Sequence, residues 1–520
     1  MNHSLYPWQE ECLTLWFKHH GRGIVQAVTG AGKTRLALEA AYRLKQTLDK
    51  KLKVKIVVPT GALMKQWEKE LKQFLKESSK SQKNAGLSEK IGLRGNGCRD
   101  RADCPYMIYV INSARYELAR QILHELKQGE AVLLIADECH HYYSGQNRLI
   151  FEFLPYIQSY EAQFFSLGLS ATLPQGENGQ YLSSVLGRRI YNYELEKALN
   201  LQTVCPYDIF SVSLSFTRKE RIEYHELTDK MSRLLSRLTQ LNPMLRNVRK
   251  KELFDLLREL SSSKNPETAN LAAACMLSSY QRKKLLCLAS GRISCAVALI
   301  RLLPPGEKIL IFGERIQQAD ELYQRLQAFY PERVGRIHSQ MGTLANKNTL
   351  ERLRTGEIRI LIACKSIDEG VDIPDAATGI ILSGTSTQRQ RLQRLGRIIR
   401  KNEGKARASL YYLYISETSE DSCFLPNSKN IRLFDLDYRP GSNDFFCPDY
   451  YEKAGLLLSK MQQAGAKKET LEEARRCLQL GSVRADWTLT PEELKYQQGS
   501  ASSIREKNYW NCMKRLQELP

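Results

Sequence analysis

Residues 23–41 read GIVQAVTGAGKTRLALEAA. An apolar run, GIVQAV, passes at once into a glycine-rich turn, TGAGKT, and then into RLALEAA, whose apolar residues recur at helical spacing. A strand, a glycine turn and a helix in that order leave backbone N–H groups clustered at a helix N-terminus, where orphan donors and the helix dipole both favour an anion. Thr29, Gly30, Ala31, Gly32, Lys33 and Thr34 are therefore the candidate nucleotide-binding residues. In this pattern Lys33 reaches the β and γ phosphates, and the Thr34 hydroxyl holds magnesium. Ala27 stands where the pattern usually has its first glycine. A strand that turns directly into a helix is also the repeating unit of a parallel α/β sheet.

Working outward, KIVVP from Lys55, MIYVI from Met107, AVLLIAD from Ala131 and FFSLGLSAT from Phe164 read as further buried strands. A second series follows in KILIFG from Lys308, RVGRIH from Arg333, IRILIAC from Ile358, TGIILSG from Thr378 and SLYYLYI from Ser409. Each run ends in polar or small residues, where ligands of such sheets collect. The fold class is α/β, with two parallel-sheet domains expected at 1–205 and 306–425. Residues 206–305 have helical periodicity after VSLSF and are expected to be a helical linker or insertion. Residues 426–520 are expected to form a small, mainly helical accessory module, one helix of which opens at Thr490-Pro491.

A chain of 520 residues is too long for one core, and 42% hydrophobic with 26% charged residues excludes a disordered or fibrous protein. The net charge of +20 calls for a polyanionic partner, most simply nucleic acid. Thirteen cysteines, an odd number without regular spacing, read as reduced thiols. The N-terminus lacks a basic-then-apolar leader, and no run of about 18 apolar residues is evident, so a cytoplasmic protein without a membrane span is expected.

AVLLIADECHH, from Ala131, closes a wholly apolar strand with two carboxylates. Beside a phosphate loop, Asp137 is the magnesium residue and Glu138 the general base for water. His140, two residues on, suits a coupling role.

With these motifs in place, the chain resembles the superfamily 2 helicases and translocases from roughly Leu5 to Ile415. LYPWQEE is similar to their adenine-recognising motif, with Gln9 at the base edge and Tyr6 or Trp8 near its face. IVVPTGALMKQWEKEL and VINSARY resemble the motifs that touch the nucleic-acid backbone, here Pro59, Thr60, Asn112 and Ser113. Ser170, Ala171 and Thr172 match the segment that links hydrolysis to strand movement. ILIFGERIQQADELYQRL, IHSQM and IACKSIDEGVDIPDA resemble motifs of the second lobe, the last matching at Glu369, Gly370 and Asp372 and placing Lys365 on nucleic acid and Gly370 and Asp372 beside the nucleotide. It departs from the pattern at Cys364, where threonine is usual. QRQRLQRLGRIIRK carries Gln393, Arg394, Gly396, Arg397 and Arg400, similar to the motif whose arginines complete the ATP site from across the cleft.

The resemblance implies two RecA-like motor domains, ATP and Mg2+ as cofactors, and ATP hydrolysis as the reaction. DECH together with QRLGRIIR looks like the XPB, RadD and restriction-motor branch, which implies DNA rather than RNA and a setting in DNA repair or phage defence. An RNA helicase, and an ATP-switched nucleic-acid-binding subunit of a larger complex, are the alternatives. No nuclease constellation stands out in the sequence, so cutting would belong to a partner subunit.

Overall fold

The computed structural model describes residues 5–81, 90–201, 203–248, 250–364, 376–383, 407–420 and 431–519. Two eight-stranded sheets organise them. The first contains β1 (Arg22–Ala27), β2 (Leu52–Val58), β3 (Ile91–Gly95), β4 (Cys98–Arg99), β5 (Tyr106–Val110), β6 (Ala131–Asp137), β7 (Phe164–Ser170) and β8 (Arg189–Tyr193). Their spatial order is β4-β3-β5-β2-β6-β7-β1-β8, parallel except for the β3–β4 hairpin. The second contains β9 (Tyr207–Leu214), β10 (Ile309–Gly313), β11 (Val334–Ile337), β12 (Ile360–Cys364), β13 (Thr378–Ile381), β14 (Ala408–Ile415), β15 (Arg432–Arg439) and β16 (Asp444–Phe446). Its order is β11-β12-β10-β13-β14-β9-β15-β16, and only β16 runs antiparallel.

The continuous apolar runs follow from helices covering both faces of a parallel sheet. In β6, Leu133 and Ile135 join the core that includes Trp8, Leu36 and Met64, while Val132, Leu134 and Ala136 join the core that includes Leu118 and Ile122. Successive side chains thus serve opposite layers, as the strand's period of two requires. The two layers are helices Pro7–Lys18, Lys33–Thr47 and Gly61–Ser81 on one face, and Ile111–Lys127 with Glu177–Leu186 on the other.

Three expectations change. The stretch 206–305 does not open as a linker: β9 lies in the second sheet between β14 and β15, and the helices begin only at Arg218. Helices Arg218–Leu241, Lys250–Leu260 and Pro266–Leu288 then share a small core of their own around Leu238, Leu257 and Cys275. The C-terminal stretch supplies β15 and β16 as well as helices Pro448–Gln463, Lys468–Arg484, Pro491–Ser500 and Ile504–Gln517, and it shares one core with the second sheet. Finally, Pro266–Leu302 is apolar and long enough to cross a membrane, which the sequence reading overlooked. Half of its most apolar window is buried, the helix is interrupted at Ala289, and its inner residues supply two cores.

Candidate ATP site and nucleic-acid groove

The register of the first sheet assembles the site. Gln26 of β1 pairs with Ser170 of β7, and Leu169 of β7 pairs with Asp137 of β6, so the phosphate loop, Ser170 and Asp137 emerge from the carboxyl ends of three adjacent strands. In the loop, Gly30 and Gly32 adopt φ of +87° and +91°, which side chains disfavour. A Cβ on Gly32 would also lie 2.9 Å from Gln9 Nε2. Lys33 Nζ donates to the Ala27 carbonyl at 2.9 Å, keeping its ammonium at the mouth of the loop. The buried Thr29 hydroxyl has no hydrogen-bond partner among the described residues. An orphaned hydroxyl, a glycine cradle and an ammonium on one turn fit a triphosphate.

Asp137 is buried, and both of its oxygens are engaged. Trp67 Nε1 donates to Oδ2 at 2.7 Å, and the Glu138 amide donates to Oδ1 at 3.0 Å. Burial pushes the Asp137 carboxyl above the usual range, opposed by the Trp67 bond and the charge of Lys33. A carboxylate has about four acceptor positions, so two donors leave room for a metal shell while fixing the group's orientation. Tyr142, fully buried, reaches the Asp137 carbonyl at 2.7 Å and the Val57 carbonyl at 3.0 Å, which ties β6 to β2 at the point where the acidic pair leaves the sheet. The sequence reading assigned no role to Trp67 or Tyr142.

Beyond the strand, Glu138 turns left-handed at φ +47°, ψ +48°. Its Oε2 lies 3.3 Å from His140 Nδ1, and the same Nδ1 lies 2.7 Å from Ser170 Oγ. Ser170 Oγ donates its proton to the Thr172 carbonyl at 2.6 Å, so the Nδ1 proton belongs to His140. That N–H donates to Ser170, and the same ring edge lies against the Glu138 carboxylate, so one imidazole touches both the acidic pair and the Ser-Ala-Thr turn. The structure thus brings together Lys33, Asp137, Glu138, His140, Ser170 and Thr172. Thr34 stands in the first turn of helix Lys33–Thr47, directly after Lys33.

Gln9 stands against the phosphate loop. Its Oε1 accepts from the Tyr6 amide at 2.8 Å and its Nε2 donates to the Gly32 carbonyl at 2.9 Å, with 2% of the residue exposed. Its amide thus braces the loop that the expected nucleotide would occupy. Trp8 is likewise a core residue, stacked 4.5 Å from Tyr193, whereas Tyr6 is exposed. Lys365, Glu369, Gly370, Asp372, Gln393, Arg394, Gly396, Arg397 and Arg400 lie outside the described residues.

The expected backbone-contacting residues lie on one edge of the sheet. Val58 pairs with Val110, so Thr60 and Asn112 each stand two residues beyond the same rung. Asn112 is exposed; Thr60 Oγ1 accepts from the Leu63 amide at 3.3 Å and caps helix Gly61–Ser81. The tip of the β3–β4 hairpin closes against this edge, since a Cβ on Gly61 would meet Asn96 Cγ at 2.6 Å. From here a groove of about 790 Å³ runs between helix Gly61–Ser81 and helix Thr343–Thr355 of the second lobe, lined by Lys65, Lys69, Asn96, Met341, Lys347 and Arg354. Its cations suit a phosphate backbone.

A phosphate loop, a strand-end acidic pair and a basic groove between two parallel-sheet lobes define a two-lobed nucleotide-driven motor of the helicase class. Residues 2–175 match the family described as type III restriction enzyme, res subunit, and residues 292–402 match the helicase conserved C-terminal domain. The chain thus carries a region similar to each of these two families, one in each lobe.

It is 26% identical over 405 residues to the DNA 3'-5' translocase XPB2 of Sulfurisphaera tokodaii, covering 78% of this chain and 80% of that protein. It is 23% identical over 421 residues to the DNA 3'-5' helicase XPB of Kineococcus radiotolerans, covering 80% of this chain and 61% of that one. Among solved structures, the Hef helicase domain of Pyrococcus furiosus is similar at 16% identity and a TM-score of 0.49, covering 80% of this chain and 97% of the other.

Proposed function

We infer that this protein is an ATP-driven DNA translocase or helicase. The observation that carries the reading is the single sheet edge on which the phosphate loop, the Asp137–Glu138 pair and the Thr60 and Asn112 nucleic-acid positions all stand. Two similar proteins are named for DNA 3'-5' translocation or unwinding, which favours DNA as the track. Lys33 and the loop amides hold the phosphates, and Thr34 and Asp137 hold Mg2+, which when bound neutralises charge on the transferring phosphoryl. Glu138 takes the proton of the attacking water at a carboxylate oxygen, and His140 keeps that carboxylate aligned. Arg397 and Arg400 complete the site from the second lobe. DNA lies along the basic groove, held through its backbone and so with little sequence preference. The setting is DNA repair or phage defence, with any nuclease on a separate subunit.

ATP turnover measured with no polynucleotide, with DNA and with RNA tests the reading. Turnover rises with DNA more than with RNA, and DNA binding weakens steeply as salt increases. Glu138→Gln loses about 10² to 10⁴ in rate while still binding nucleotide, whereas Lys33→Ala loses binding as well. Equal turnover with and without every polynucleotide would sink the motor and favour a switch subunit.

A further inference from the structure

We propose that Trp67 is the positioning residue through which DNA in the groove controls the Asp137 carboxylate; this rests on the motor reading above. Trp67 is 1% exposed, yet its indole N–H is not left idle in the core: it meets Asp137 Oδ2 at 2.7 Å. Among the described residues it is the one side chain that donates to this carboxylate. Asp137's other donor is the backbone of its own neighbour, so Trp67 alone brings information from another element.

That element is helix Gly61–Ser81, and its opposite side faces the groove. At about 100° per residue, Lys65 and Lys69 each stand about 160° around the helix from Trp67. Both line the groove. One helix therefore carries groove cations on one side and the donor to the metal carboxylate on the other. Packed helices move as rigid rods, and hydrogen bonds weaken steeply once length or angle leaves a narrow range. A phosphate backbone drawn onto Lys65 and Lys69 would rotate or press this rod, and the indole N–H would shift against Oδ2. The path from track to metal site is then one helix thick. A Phe at this position would pack but not donate.

The test compares wild type with Trp67→Phe, which keeps most of the buried ring, and Trp67→His, whose ring N–H can donate. Partners that orient a metal ligand typically set affinity or activity by about 10- to 100-fold. Trp67→Phe is therefore expected to bind DNA with wild-type affinity, to need about tenfold or more Mg2+ for half-maximal turnover, and to lose most of its stimulation by DNA. Trp67→His recovers part of both. Equal Mg2+ requirement and equal stimulation in Trp67→Phe would overturn the proposal.

A measurement on wild type covers the case in which neither variant folds. With its five tryptophans labelled with 15N, the Trp67 indole N–H, assigned apart from that of Trp16, which donates to the Ser166 carbonyl, moves when DNA is added without nucleotide; a Trp67 signal unchanged by bound DNA overturns the proposal. A wild-type protein that DNA does not stimulate would instead refute the motor reading itself.

Discussion

Glu138 holds the left-handed backbone at φ +47°, ψ +48°, a conformation that costs an ordinary residue about 1–2 kcal/mol. The turn is sustained by what surrounds it: the Glu138 amide bonds Asp137 Oδ1, and Tyr142 reaches the Asp137 carbonyl from five residues further on. Tyr142→Phe removes the hydroxyl but not the ring, and with it the one O–H that lies between the buried Asp137 and Val57 carbonyls. A loss of about 1–3 kcal/mol is expected, read as a lower denaturation midpoint of the full chain. Turnover falls with it, because the hydroxyl also sets where the acidic pair leaves β6. Unchanged stability and turnover would show that the hydroxyl does not anchor the pair. A lysine after glycines, or two carboxylates after an apolar run, announces its chemistry in the sequence. Tyr142 and Trp67 do not, because an aromatic residue at a buried position reads as packing and only three dimensions show where its one polar atom points.

Strands that were continuous apolar runs, such as β6 and β10, were legible because burial on both faces leaves no polar position to interrupt them. β9 and β15, the strands on the far side of β14, were less so. In β15, RLFDLDYR, Phe434, Leu436 and Tyr438 are buried while Leu433, Asp435, Asp437 and Arg439 are exposed, an alternation that a search for apolar runs passes over. β9, buried from Tyr207 to Phe210 and alternating after that, is visible in the sequence only as VSLSF within the expected linker, and with β15 it carries the second sheet beyond 306–425.

Between β2 and helix Ile111–Lys127, Lys55 and Glu125 form a fully buried pair at 2.6 Å. Burial pushes the Lys55 ammonium down and the Glu125 carboxyl up, each opposed by the partner's charge. Such a pair gains little over apolar packing but is costly to break. Lys55→Met should destabilise the chain by about 3–5 kcal/mol, and Lys55→Met with Glu125→Leu should recover most of the loss. A double variant no more stable than Lys55→Met would show that the pair contributes more than its own desolvation.

At the scale of the molecule, Arg397 and Arg400 are more than 350 residues beyond Lys33 in the sequence, yet they are expected to act on the same phosphate. The topology explains why the chain is built this way. In each parallel sheet the loops gather at the carboxyl ends of the strands, so neither lobe alone surrounds a triphosphate, and a site shared between lobes reacts only when they close. The basic groove lies between those lobes, so DNA bound across it would favour the closed arrangement, and turnover is expected to depend on the track. Arg397→Ala and Arg400→Ala are therefore expected to keep nucleotide bound while losing turnover by about 10³-fold or more, the scale on which an arginine finger acts in phosphoryl transfer. The opposite pattern, weakened DNA binding with basal ATPase intact, would make this segment part of the DNA track. Nucleotide binding, basal turnover and DNA affinity measured on each variant separate the two, because an arginine on the γ-phosphate acts in the chemical step whether or not DNA is present.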